Sequence, residues 1–121
     1  MVIKSNVSSQ LFFIFSNNHC FCYCLYSKPL MKKHLIISGR VQGVGFRNWL
    51  QRMAIEKNIF GWVKNKISGD VETLIIGDEK EVKNLIKLCE KGPLLSKVDH
   101  VKVKEYKKNY LKKNFNIIKS D

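Results

Sequence analysis

The spacing of hydrophobic positions changes several times along this chain, and each change marks an element. Residues 34–38 form a short β-rich run, followed by a loop punctuated with glycine, Gly39-Arg40-Val41-Gln42-Gly43-Val44-Gly45. From Phe46 the period becomes helical: Phe46, Trp49, Leu50, Met53 and Ala54 fall three or four positions apart, on one face of a helix. Asn58 is placed to end that helix in a left-handed conformation. Residues 59–64 and 71–76 are strand-like and joined by a turn-rich stretch, Asn65-Lys66-Ile67-Ser68-Gly69-Asp70, as in a hairpin with a longer loop. Asp78 with Glu81 three residues on has the form of a capping box. Val82, Leu85, Ile86 and Cys89 then make a second apolar helical face, which Gly92-Pro93 stops. Residues 98–104 alternate, with Val101 and Val103 on one side and Lys102 and Lys104 on the other. The Lys-rich stretch 104–113 reads as a loop and 114–118 as a closing strand. The order β-α-β-β-α-β predicts an α+β, ferredoxin-like sandwich: an antiparallel sheet with two helices on one face.

Residues 1–30 do not share this patterning. A short apolar burst at 11–15 is cut by Ser16-Asn17-Asn18-His19, so neither the continuous apolar region nor the cleavage site of an export signal is clean. Met31, followed by Lys32-Lys33, begins the ordinary domain pattern. Two regions are therefore expected: a poorly ordered extension at 1–30, and a domain at 31–121. No apolar run reaches the ~18 residues of a membrane-spanning helix, so no membrane partner is expected and the cytoplasm is the expected location.

Composition refines the picture in two ways. The 121 residues include 22 Lys+Arg and 10 Asp+Glu, a net charge of +12. Lys4 and Lys28 are the only charged residues before Met31, so the basic excess belongs to the domain. Such a surface suits an anionic partner, or is simply Lys-rich and solvated. Of the four Cys, Cys20, Cys22 and Cys24 alternate, which is not the spacing of a structural zinc site, and no metal site is expected. Cys89 belongs to the apolar face of the second helix and reads as a small buried hydrophobe.

The glycine-rich loop is where chemistry concentrates. Three glycines in seven residues let successive backbone N–H groups converge, and the helix that follows adds its unpaired N–H groups and positive dipole end. Arg47 in the first helical turn can add a forked contact to an anion. The loop lacks the Gly-Lys-Ser/Thr ending of a nucleotide P-loop, and Asn48 stands where the dinucleotide fingerprint has its third glycine. The residues alone leave two readings open: a phosphate-sized anion site, or a tight structural turn with Arg47 in an ordinary ion pair.

The stretch Gly39-Arg40-Val41-Gln42-Gly43-Val44-Gly45-Phe46-Arg47 resembles the phosphate loop of the acylphosphatase family. Further on, Gly61-Trp62-Val63-Lys64-Asn65, whose Asn65 lies eighteen residues after Arg47, resembles that family's second motif at the expected separation. Gly69, Val71-Glu72, Gly77, Gly92-Pro93 and Val98 also fall where family members have them, so the resemblance spans about 31–118. It implies that the loop from Gly39 through Phe46 binds the substrate phosphate. Arg47 then corresponds to the catalytic arginine, and Asn65 to the asparagine that positions the attacking water. The implied reaction is hydrolysis of the carboxyl–phosphate anhydride of acyl phosphates, with no metal or cofactor and water as the second substrate; a monomer is the default. At the C-terminus, Asn114 and Ile118 replace the Gly and Arg that are common in the family.

Other residues carry less. His34 and His100 lie on strand-like segments and are not needed as acid or base. Trp49 and Trp62 read as packing residues, and Lys102 to Lys113 as a solvated face. Two rival functions share the βαββαβ plan. A nucleic-acid-binding module is disfavoured because residues 34–38 and 71–76 contain no aromatic, so no nucleic-acid partner is expected. A non-catalytic binder of phosphorylated ligands is disfavoured by the presence of both Arg47 and Asn65.

Overall fold

The computed structural model describes residues 29–121 throughout, and before them the backbone of two strands, β1 (Gln10–Ser16) and β2 (His19–Leu25). These two pair antiparallel as a sheet of their own. Nothing beyond this backbone pairing is described before Pro29, so the expected poor order of the extension and the side chains of Cys20, Cys22 and Cys24 lie outside what is described.

From Met31 the elements run β3 (Met31–Arg40), α1 (Phe46–Glu56), β4 (Phe60–Asn65), β5 (Val71–Gly77), α2 (Glu79–Lys91), β6 (Lys97–Glu105) and β7 (Phe115–Ile117). The sheet order is β6-β3-β5-β4-β7. The first four of these pair antiparallel, as the element order requires, whereas β7 lies parallel to β4. The five-stranded sheet is therefore mixed. The chain leaves β6 at one edge and reaches β4 at the other, so the last strand enters in the direction of β4.

Both helices cover one face. Leu35 and Ile37 of β3, Val63 of β4 and Val71 and Ile75 of β5 form a single core with Phe46, Leu50 and Ala54 of α1 and Val82, Leu85 and Cys89 of α2. The apolar faces legible in the sequence are thus the buried ones, and each fully buried Leu or Ile contributes about 1.5–3 kcal/mol. Asn58 ends α1 with φ 54°. Its N–H donates to Ile55 and that of Ile59 to Ala54, at 3.1 and 2.8 Å, the paired bonds of a Schellman motif. The capping box at α2 is not formed: Asp78 stands at the N-cap, but its side chain makes no capping bond. The Glu81 carboxylate instead lies 3.7 Å from Lys57 at the end of α1.

Leu74 and Ile76 point away from the helices yet are buried. The Lys-rich segment passes that side on its way to β7: Tyr106 N–H donates to the Lys32 carbonyl, Lys32 Nζ to the Lys108 carbonyl, Tyr110 Oη to the Gly61 carbonyl, and Gly61 N–H to the Asn114 carbonyl. The lysines of this loop are exposed, as expected, while Tyr106 and Tyr110 are half-buried and tie it across the sheet as a strap. Burial raises the Tyr110 pKa, with Tyr106 adding to the shift. Among the described residues no helix is long and apolar enough to cross a membrane.

Candidate active site

β3, β4 and β7 run in the same direction and finish at the same end of the sheet, where α1 begins. That shared end brings the glycine loop, the last residue of β4 and the last residue of β7 together. A cavity of about 320 Å³ opens there, lined by Val41, Gly43, Gly45, Phe46, Arg47, Asn48, Asn65 and Ile117.

The loop conformation explains its glycines. Gly43 and Gly45 have φ of 71° and 77°, and a Cβ at either would meet nothing within 4 Å. Glycine is required there by backbone conformation rather than by crowding. Left-handed residues alternating with ordinary ones turn backbone N–H groups inward, as in an anion-binding nest. Gly45 is the N-cap of α1 and supplies no capping side chain, and the first turn contains no acid. The first bond of the helix runs from Trp49 N–H to the Gly45 carbonyl at 3.0 Å. The N–H groups of Phe46, Arg47 and Asn48 thus have no partner within the helix.

Arg47 stands at the positive end of the helix dipole, where a cation is unfavourable unless an anion joins it. Among the described residues it makes no ion pair; its guanidinium donates to Ser120 Oγ at 3.5 Å. Of the two readings open from the residues alone, the ordinary ion pair is absent. Asn65 closes β4 and faces the same cavity, and its buried Oδ1 has no hydrogen-bond partner among the described residues. A buried acceptor left unmade costs about 1–3 kcal/mol, and this cavity is large enough for a water to fill that role.

Not every residue of the loop motif lines the cavity. Gly39 and Arg40 belong to β3 and pair with Val98 and Lys97 of β6, and Val44 packs against the core. Val41 is buried as well as lining the cavity. Gln42 turns its side chain to the β4–β5 turn, donating from Nε2 to the carbonyls of Lys66 and Asp70, both at 2.8 Å. Asn48, Ile117 and Ser120 were not singled out from the sequence. Asn48 carried a signal, a polar side chain in the first turn after a glycine loop, whereas Ile117 and Ser120 come near only through the parallel pairing of β7.

The other candidates lie elsewhere. His34 is bonded to Glu72 at 2.7 Å and meets Trp62 edge-on, on the sheet side away from the core. Lys64, over the Trp62 ring, shares Glu72, and its pKa is raised chiefly by a hydrogen bond to Asp121. A cavity of about 350 Å³ at the start of β3 is lined by Lys32 and Lys33 together with Glu79 and Glu105, so its charges balance, and neither motif residue Arg47 nor Asn65 lines it.

The family model for acylphosphatase matches residues 33–117. The chain belongs to the acylphosphatase family. It is 44% identical over 72 residues to an acylphosphatase of Acidiphilium cryptum, covering 60% of this chain and 79% of that one. To the acylphosphatase of Bacillus licheniformis it is 41% identical over 88 residues, covering 73% and 98%. The crystal structure of acylphosphatase from Bacillus subtilis matches with a TM-score of 0.70 at 36% identity, over 74% of this chain and 98% of that one. Acylphosphatase membership makes the chain a hydrolase of acyl phosphates, and the α+β ferredoxin-like fold agrees. The end of the sheet that carries both acylphosphatase motifs is the end that carries the cavity.

Proposed function

We propose that the cavity at this end of the sheet hydrolyses acyl phosphates without a metal ion. The backbone N–H groups of the loop and of the start of α1 hold the phosphate oxygens, Arg47 adds a forked charged contact, and Asn65 positions the attacking water. The observation that carries this reading is the unpartnered Oδ1 of Asn65, buried in the same cavity as Arg47.

The chemistry needs few groups. Water held by Asn65 Oδ1 attacks phosphorus on the side opposite the acyl oxygen. The P–O bond to that oxygen breaks, the carboxylate leaves with the electron pair, and the water proton passes to a phosphate oxygen. A carboxylate is stable as it departs, so no strong general acid is required. Placement of reactants and neutralisation of charge are then the main contributions of the protein, as is usual in phosphoryl transfer. Preorganised donors aimed at developing charge account for much of such a rate.

The test is phosphate release from benzoyl phosphate in the presence of EDTA. Turnover that survives chelation, and falls by about 100-fold in Arg47→Ala, is the expected result. A folded protein without turnover, or turnover that chelation abolishes and a divalent cation restores, would overturn the proposal.

A further inference from the structure

The helix-free side of the sheet carries positive charge that the fold does not neutralise. Residues 106–120 contain no acidic residue. Tyr106 and Tyr110 are half-buried, and Lys107, Lys108, Lys112 and Lys113 are exposed. Lys102 and Lys104 of β6 stand opposite Ile36 and His34 of β3, which places them on the same face as the strap. Among the described residues none of these six lysines takes part in an ion pair. Glu72 on that face is already held by His34, Lys64 and Lys66, and Glu105, next to Lys104 in the chain, by Lys33. Between the two lysine pairs of the strap, Leu111 is 90% exposed.

We propose that this face is a docking surface for an anionic lipid bilayer, on which the protein lies peripherally through the strap. A single exposed leucine is ordinary, and lysines alone suit any anion. The combination narrows the partner. Each lysine near an anionic bilayer strengthens binding about fivefold, and Leu111 at the centre of the charge can enter the boundary between headgroups and acyl chains. A single-stranded nucleic acid would meet the lysines but offers nothing to Leu111. It also binds by stacking its bases on aromatic rings, and both tyrosines of the strap are half-buried. The 320 Å³ cavity is lined by none of the six lysines and lies at the end of the sheet where α1 begins, so a docked molecule keeps it open.

The experiment is co-sedimentation of the full chain with vesicles of phosphatidylcholine, alone or with about 30% phosphatidylserine. The protein should bind the anionic vesicles only, and release as salt is raised. Lys112→Glu combined with Lys113→Glu loses two attractions and gains two repulsions, and should weaken binding by at least about 20-fold. Leu111→Ser keeps the charge and should weaken it by about fivefold. All three positions are exposed and outside the cavity, so melting temperature and turnover of benzoyl phosphate in solution should match the parent, which separates docking from folding. Equal binding to neutral vesicles would overturn the proposal, as would anionic binding that either set of substitutions leaves intact. Binding to oligouridylate with none to anionic vesicles would overturn it too, and would make the surface one for nucleic acid.

Discussion

The side-chain amide of Gln42 donates to the backbone carbonyl of Asp70 at 2.8 Å and, with its second hydrogen, to that of Lys66 at the same distance. Those carbonyls belong to the turn that begins where Asn65 ends β4, and Lys66 N–H itself bonds to Asp70 at 2.9 Å. One side chain therefore ties the glycine loop to the hairpin that carries Asn65. Gln42→Glu keeps the shape but faces two carbonyls with a carboxylate. It should cost about 2–3 kcal/mol, read by chemical denaturation, and lower kcat by about tenfold through misplacement of Asn65 against the loop.

Arg47 is expected to act through its fork as well as its charge. Arg47→Lys retains the charge but cannot bond two phosphate oxygens in one plane. Its kcat/KM for benzoyl phosphate should fall by at least about tenfold, against about 100-fold for Arg47→Ala. Equal activity in the Lys variant and the parent would show that charge alone suffices.

Asn65 should trade activity against stability. Its Oδ1 is a buried acceptor without a partner among the described residues, so Asn65→Ala removes an unfavourable group that is also the water-holding one. The variant should lose about 100-fold in kcat while its melting temperature holds or rises. A large fall in stability would mean that the side chain is structural.

Gly45→Ala tests the loop backbone. A methyl group there has open space, so the cost is conformational, about 1–2 kcal/mol for a left-handed non-glycine residue. If the loop instead relaxes, phosphate affinity should drop while stability is kept; titration with phosphate and thermal melting separate the two outcomes.

Cys89 gives a dependence on pH. Burial in the core, with a smaller contribution from the Glu90 charge, pushes its thiol from the ordinary 9.0 up to about 12. The folded protein thus keeps a proton that the unfolded chain releases. Stability from this group is complete below pH 9.0 and is lost as pH rises from there towards about 12, at up to about 1.4 kcal/mol per pH unit. Denaturation of the parent and of Cys89→Val at pH 8 and above pH 10 checks this: the parent should show the steeper decline.

Much of this architecture is legible residue by residue. Phe46, Leu50 and Ala54, four apart, are the buried face of α1, and Val82, Leu85 and Cys89 that of α2, because local periodicity and burial are the same constraint. Asn58 is left-handed as its type suggests. The capping box failed because a motif states which partners are possible, and Lys57, brought near by the packing of α1 against α2, offers Glu81 a charge. The parallel pairing of β7 and the strap at 106–114 depend on which edge of the sheet is still open, and no local pattern carries that information.

The chain's own sequence determined the left-handed glycine loop, the helix behind it and the presence of Arg47 and Asn65, since each follows from residue type and short-range spacing. Only the tertiary structure decided that these residues share one cavity. It also decided that Gln42 serves the hairpin turn, that Arg47 has no acidic partner among the described residues, and that Ser120 reaches it. The physical reason is that three strands running in one direction end together, and proximity at that end is a property of the sheet rather than of any segment in it.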